Sequence, residues 1–319
     1  MALLTFGETP VAIAPGENVL SALLAAGIDA PHSCRAGFCQ TCLHRAVEGE
    51  IPAAAQQGLT DAQKAQGYFM ACVCVPENPL KIVRVSDAPA ETGVVVQAID
   101  RLSPTVVRLR LEPNVSFSYR PGQFLALKAP DGFARNYSIA SHPEEQSFLE
   151  LHIRLLSNGR MSELISERLS PGDRLDISGP FGTCFYDDSD RDRPLVLVGA
   201  GTGLAPLWGV LRDALRRGHN GPIRLYHGAL DRWGLYLVDE LRALTEEHAH
   251  FSYIPCVRGE IGPAGGDLEA AVIEGERQPD LSSFFLCGGD GLVGRVKRGL
   301  FLKGAKLQRI RADIFLPAP

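Results

Sequence analysis

The sequence predicts a multidomain protein that combines α+β and α/β architecture. A small mixed segment comes first, an antiparallel β barrel or sandwich second, and a doubly wound parallel sheet last. Three observations predict this. The 319 residues exceed a typical domain of ~150, and polar, proline-bearing stretches at 86–92 (SDAPAET) and 187–194 (DDSDRDRP) read as linkers. The 33 Gly and 22 Pro favour turn-rich β structure and ligand loops over a helical bundle. The apolar pattern also changes along the chain, from short mixed runs, through closely spaced strands, to strands alternating with helical stretches. The resulting domains are 1–88, 91–190 and 192–319.

In the first segment, strands are expected at Leu3–Phe6 and Val11–Ile13. A helix over 19–26 has Asn18 as its N-cap, an apolar face of Val19, Leu20, Leu23 and Leu24, and Gly27 as its stop. The second segment reads as strands at Val94–Ile99, Val106–Leu111, Phe124–Lys128, Tyr137–Ala140, Leu149–Leu155 and Arg174–Ser178, with turns such as Pro121-Gly122 and Pro171-Gly172 between them. A helix is expected over Ser162–Leu169. In the third segment, strands at 195–198, 223–227, 251–257 and 283–287 alternate with helical stretches at 204–217, 235–247, 267–274 and 291–302. That alternation requires a parallel sheet covered on both faces.

Composition excludes several function classes. A net charge of −5 argues against a nucleic-acid binder. No apolar run approaches the ~20 residues of a membrane span, and the N-terminus lacks a basic region followed by a long apolar core. A cytoplasmic monomer with no membrane association is expected.

The eight cysteines are too few for a disulfide scaffold, so their positions carry the meaning. Cys34, Cys39 and Cys42 are spaced C-x4-C-x2-C, and Cys72 follows 29 residues later. This is the spacing of a plant-type [2Fe–2S] site, in which a tight loop supplies three thiolates and a distant segment the fourth. Gly37 lets the loop backbone approach the cluster sulfurs. Two other metal sites use overlapping residues. Zinc could take Cys39, Cys42, Cys72 and Cys74. A Rieske centre would build on Cys42 and His44, but no matching Cys-x-x-His follows. Cys74 competes with Cys72 for the fourth position, and on a strand the two would point to opposite faces.

The stretch Ser33–Cys42 (SCRAGFCQTC) resembles the cluster loop of plant-type ferredoxins, and Gly67–Cys72 (GYFMAC) resembles the strand that carries their last ligand. The resemblance covers residues 1–88. It implies a β-grasp fold, with Cys72 rather than Cys74 as the ligand.

Arg135-Asn136-Tyr137-Ser138 would by itself be an edge strand with one charge. Pro121-Gly122-Gln123-Phe124 precedes it, however, and Gly159-Arg160-Met161-Ser162 and Gly179-Pro180-Phe181-Gly182 follow. The series resembles the flavin domain of the ferredoxin–NADP reductase family, a six-stranded antiparallel barrel plus one helix. The resemblance implies that Arg135 pairs with the FAD diphosphate, that Tyr137 packs against the isoalloxazine ring, and that Ser138 bonds near flavin N5. It also implies that Gly159, Met161 and Ser162 open a helix whose free N–H groups receive the diphosphate. Ser162 could equally be a plain N-cap. His152 and Arg154 fall on one strand face, either towards flavin or towards solvent.

The run Leu195–Val198 leads into Gly199-Ala200-Gly201-Thr202-Gly203 and then a helix, an order that cradles a diphosphate. The turn is similar to the G-x-G-T-G-x-x-P turn of the same family. Cys287-Gly288 resembles the pair that lies against the nicotinamide there, although Asp290 and Leu292 depart from the family's proline and methionine. Asp231 favours the free ribose of NADH over NADPH, and Arg232 is the residue that speaks for NADPH. Phe315 is a candidate aromatic near the flavin or in the core.

Together the three segments resemble the NADH-dependent reductase components of bacterial multicomponent oxygenases. The resemblance implies cofactors [2Fe–2S], FAD and NADH, with Ser138 and Cys287 at the site of hydride transfer. Electrons would pass singly to a terminal oxygenase, a Rieske-type dioxygenase or a di-iron monooxygenase. A similar reductase feeding a deoxysugar dehydratase is the alternative, and a non-enzymatic redox sensor a further one. Residues 1–88 hold 5 Lys/Arg against 8 Asp/Glu, so an acceptor protein with a basic docking face is expected.

Overall fold

The computed structural model describes residues 3–32, 35–37, 40–59, 63–64, 67–84, 92–259 and 266–315. Two compact units divide the chain, Met1–Ala90 and Glu91–Pro319.

The first unit holds a five-stranded sheet of β1 (Leu4–Phe6), β2 (Thr9–Val11), β3 (Leu43–Glu48), β4 (Tyr68–Met70) and β5 (Leu80–Arg84), in the order β2-β1-β5-β3-β4. The β1–β5 pair is parallel and the others antiparallel. Helix α1 (Val19–Ala25) lays Val19, Leu20, Ala22 and Leu23 into the core. Its start is as expected, with Asn18 Oδ1 accepting from Ser21 N at 2.9 Å. Strands β3 and β5 were not foreseen, and β2 lies two residues earlier than the predicted Val11–Ile13.

The second unit contains both remaining sheets. Strands β6 (Thr92–Ser103), β7 (Val106–Pro113), β8 (Phe124–Lys128), β9 (Ala134–Ser138), β10 (Leu149–Arg154) and β11 (Arg174–Phe181) form a six-stranded antiparallel sheet ordered β10-β7-β6-β11-β8-β9. A bridge between Ile139 and Leu151 joins the two edge strands and closes the barrel. Strand β9 ends at Ser138 rather than running to Ala140, and Ile139 beyond it bonds through its amide to the Gln123 carbonyl at 2.7 Å. The barrel interior is filled by alternating aliphatics such as Val94, Val96, Leu109, Leu111, Leu125 and Leu127. Helix α2 (Arg160–Glu163) widens into a π turn over Leu164–Arg168 and adds Met161 and Ile165 to that core.

Five parallel strands make the last sheet: β12 (Leu195–Ala200), β13 (Ile223–Ala229), β14 (Phe251–Val257), β15 (Ser283–Gly289) and β16 (Ile310–Phe315), ordered β14-β13-β12-β15-β16. Helices α3 (Leu204–Arg216), α4 (Val238–Glu247), α5 (Leu268–Gly275) and α6 (Asp290–Leu302) accompany it, and separate apolar clusters pack its two faces. The order reverses between β12 and β15, and this switch point is where doubly wound sheets open a ligand crevice beyond their strand ends. One of the two clusters also contains Val106, Cys184 and Tyr186 from the barrel segment, so barrel and parallel sheet share a core.

The stretch 187–194 is not a loose linker. Asp190 is buried, and its carboxylate accepts from Ser283 Oγ at 2.6 Å and from Arg311 Nη1 at 2.7 Å. The other expected linker, 86–92, lies outside the described residues up to 91.

Candidate functional site

In the first unit, Cys42 ends the segment before β3, and Cys72 lies in a 3-10 turn over Ala71–Val73. Strand β4 stops at Met70, so the expected contrast between Cys72 and Cys74 on opposite strand faces does not apply. The Ala71 amide donates to the Cys42 carbonyl at 3.0 Å, which brings the two cysteine segments together. Gly37 has φ +74°, and a Cβ there would stand 3.2 Å from both Val73 methyls. Only a glycine lets the loop sit this close to the Cys72 turn. Cys34 and Cys39 lie outside the described residues. Cys74 is fully buried in the core, and burial pushes its thiol up to about 12.

In the second unit, β9 presents Arg135, Tyr137 and Ser138. The Arg135 guanidinium stands 4.1 Å from the Phe133 ring centre, and that of Arg160 stands 4.7 Å from the same ring while pairing with Asp131. Tyr137 is half-buried against the barrel core, and burial raises its hydroxyl to about 12 despite the opposing Arg135 charge. It is therefore a neutral, rigid ring. Ser138 is buried, and its Oγ donates to Asp313 Oδ2 at 2.7 Å. Asp313 sits on β16 directly beside Cys287 of β15. Ser138 from the barrel thus bonds to the strand residue paired with Cys287 of the parallel sheet.

Cys287 is buried, with its Sγ 3.5 Å from Cys184 Sγ. Burial, then the neighbouring Cys184, hold its thiol well above the usual range, so it is neutral. Gly201, Thr202 and Gly203 form the expected turn after β12, and Gly199 is the strand's penultimate residue. A Cβ on Gly203 would fall inside the contact shell of the Cys287 carbonyl oxygen, so the turn and the Cys287-Gly288 strand end touch backbone to backbone.

A cavity of about 410 Å³ opens over this switch point. Ala200, Gly201 and Thr202 form one wall, Asp231 and Gly234 another, and Arg154 reaches in from the barrel. Its position beyond the strand ends and its mix of glycine backbone, two carboxylates (Asp231, Asp267) and three arginines (Arg154, Arg258, Arg295) suit a dinucleotide. Asp231 is also the cap of a 3-10 turn, with Oδ1 accepting from Gly234 N at 3.0 Å.

Two sequence expectations are corrected here. Helix α2 starts at Arg160 with Gly159 as N-cap, not at Ser162. Ser162 caps nothing at its own N-terminus, and its Oγ instead accepts from Leu156 N at 2.9 Å. His152 faces neither flavin nor solvent. It is buried, with Nε2 2.8 Å from Glu150 Oε1 and Nδ1 3.2 Å from Tyr236 Oη.

Comparison with known proteins gives the same order of parts. A 2Fe-2S iron-sulfur cluster binding domain matches residues 7–77, an oxidoreductase FAD-binding domain residues 84–186, and an oxidoreductase NAD-binding domain residues 197–298. The chain is 31% identical to the reductase subunit of an aromatic O-demethylase from Amycolatopsis, over 95% of each chain. It is also 31% identical to the ferredoxin–NAD(P)(+) reductase component of a naphthalene 1,2-dioxygenase system from Pseudomonas putida, over 95% of this chain and 94% of the other. Among solved structures, a cytochrome P450 reductase of Amycolatopsis aligns over 99% of both chains, with a TM-score of 0.71 and 29% identity. The chain belongs to the iron–sulfur flavoprotein reductase family of oxygenase systems. The reductase is an oxidoreductase of [2Fe–2S], FAD and NAD(H), and its electrons go to an acceptor protein. Among the described residues, no helix is long and apolar enough to cross a membrane.

The residue that sequence reasoning missed is Asp313. Its signal was weak: it lies in an alternating run, Ile310–Phe315, that was not read as a strand.

Proposed function

We propose that the reductase takes a hydride from NADH and delivers its electrons singly to the terminal oxygenase of an aromatic or hydrocarbon oxygenase system. The observation that carries this is the bond from Ser138 to Asp313, which joins the flavin strand to the strand beside Cys287. The flavin and cluster, when bound, supply the exchange between a two-electron donor and a one-electron acceptor.

The chain's own residues then have these parts. Arg135 pairs with the FAD diphosphate, with Gly159, Met161 and Ser162 at the adjoining helix start. Tyr137 packs against the isoalloxazine, and Ser138 bonds at its reactive edge. Asp313 fixes the Ser138 hydroxyl by accepting its hydrogen bond, so the oxygen's lone pairs are aimed rather than free to rotate. Gly199, Gly201, Thr202 and Gly203 take the nicotinamide dinucleotide's diphosphate, and Arg154 adds charge from the barrel side. Asp231 accepts from the ribose hydroxyls and repels a 2′-phosphate, which selects NADH over NADPH. Cys287 and Gly288 pack beside the nicotinamide, where a neutral thiol adds bulk without charge. Cys34, Cys39, Cys42 and Cys72 hold the cluster.

The domains are 1–88, 91–190 and 192–319, in a cytoplasmic monomer. The relatives named for a dioxygenase, an O-demethylase and a cytochrome P450 support an oxygenase as acceptor, and they extend the acceptor class to P450.

The test is anaerobic titration of the cofactor-replete protein with NADH and, separately, with NADPH. NADH should bleach the flavin absorbance at low concentrations and NADPH only at much higher ones. Flavin that NADH leaves oxidised would refute the function.

A further inference from the structure

A buried polar chain crosses from the barrel to the parallel sheet, away from the Ser138–Asp313 contact. Glu150 and His152 belong to β10, Tyr236 to the segment between β13 and α4, and His227 to β13. All four are almost inaccessible. Glu150 is held as a carboxylate because, although burial is the largest single influence and opposes its charge, the His152 hydrogen bond and the nearby Arg108 and Arg212 charges together outweigh it. A carboxylate only accepts, so His152 Nε2 carries the proton that it donates to Glu150. Burial keeps His152 neutral, so its Nδ1 is an acceptor and Tyr236 donates to it. The direction of every bond from β10 to Tyr236 is therefore fixed.

Tyr236 also stands edge-on to His227, with ring centres 5.7 Å apart at 89°. His227 Nδ1 lies 3.3 Å from Tyr253 Oη. Its other nitrogen has no hydrogen-bond partner among the described residues, and burial pushes the imidazole down to about 4 against the weaker opposing pull of the nearby Gly201 backbone, so the ring is neutral. The chain thus touches the back of each cavity wall. Arg154 follows His152 by two residues on β10. Gly201 lies against His227. Asp231 and Gly234 stand on the segment that Tyr236 ends.

We propose that Tyr236, through its hydrogen bond to His152, is a positioning residue for the dinucleotide, holding the Asp231–Gly234 wall against the barrel so that all three walls meet one ligand. This rests on the NADH site proposed above. No atom of Tyr236 need touch the dinucleotide. It acts through Asp231 and Gly234, and its loss loosens binding without altering the hydride-transfer geometry at Ser138 and Cys287.

Tyr236→Phe keeps the ring and its edge-on packing and removes only the hydroxyl. His152→Gln keeps a donor for Glu150 at the Nε2 position and has no atom at the Nδ1 position that Tyr236 uses, its own acceptor Oε1 lying on the other side of the chain. Both are assayed as holoprotein with ferricyanide, with melting temperature recorded. Each should raise KM for NADH about five-fold, the equilibrium factor of a single buried hydrogen bond, with kcat and flavin content unchanged. The double variant should be no worse than either single, because both remove the same bond. Unchanged KM with a lowered melting temperature would overturn the proposal in favour of a purely structural role. So would additive effects in the double variant, a fall in kcat equal to the rise in KM, or loss of fold in both single variants. Wild-type protein that fails to oxidise NADH refutes the underlying function instead, which separates the two failures.

Discussion

Cys72 and Cys74 differ by one residue and by their surroundings. Cys72 sits in the turn that bonds back to Cys42, against the loop that Gly37 lets in. Cys74 is sealed in the core, and its carbonyl accepts from Val19 N at 2.8 Å to anchor the start of α1. Cys72→Ser should strip the cluster's visible absorbance and most of the bound iron, whereas Cys74→Ser should keep both. Iron analysis of the two purified variants decides it, and a cluster that survives Cys72→Ser but not Cys74→Ser would reverse the ligand assignment. At this scale the sequence made Ser138, Cys287 and the glycine turn readable, because each sits in a short motif. Asp313 was not readable, because its partner Ser138 is 175 residues away and across two sheets. His152 was misjudged for a related reason. Alternation along a strand marks a solvent face only if one face is wet, and β10 is buried on both sides up to Arg154.

At the scale of elements, strands with strong apolar runs were legible, as were the edge strands β10 and β14, whereas the short or charge-bearing β3, β5 and β16 were not. Strand β12 is buried almost throughout and reads as a continuous Leu–Val run. Strand β5 alternates apolar and charged residues and pairs with β1 far back in the chain, and β16 carries two charged residues, Arg311 and Asp313, that bond to the buried Asp190 and Ser138. The stretch 187–194 shows the opposite error. Its charges look like those of a linker, yet Asp190 ties the end of the barrel segment to β15 and β16 through Ser283 and Arg311. Removing one member of a buried ion pair leaves the other uncompensated. Asp190→Ala should therefore cost roughly 2–3 kcal/mol, somewhat less than the ~3–5 kcal/mol of fully buried pairs because Arg311 keeps some exposure. For a unit of this size that is a fall in melting temperature of about 5–10 °C. NADH oxidation below the transition should stay near normal, because Asp190 lines neither the cavity nor the Ser138 contact. A melting temperature within a degree of wild type would show that this stretch is no anchor.

For the whole molecule, the two compact units divide the redox work as well as the chain. Barrel and parallel sheet share an apolar core, the Ser138–Asp313 bond and the Tyr236 chain, so they form one folding unit at Glu91–Pro319. Met1–Ala90 has its own closed core around α1 and its sheet. Each unit buries its apolar residues among its own elements, which is the physical requirement for folding alone. A chain starting at Glu91 should therefore remain folded, bind FAD and be bleached by NADH. It should still reduce ferricyanide, which takes electrons directly from reduced flavin. It should lose most of its activity towards a one-electron protein acceptor such as cytochrome c, because the cysteines that hold the cluster are gone. Comparing the two acceptors in full-length and shortened protein measures how much electron flow depends on the first unit. Undiminished cytochrome c reduction by the shortened protein would mean that the flavin serves protein acceptors directly, and the cluster would then have to be a side branch rather than the exit.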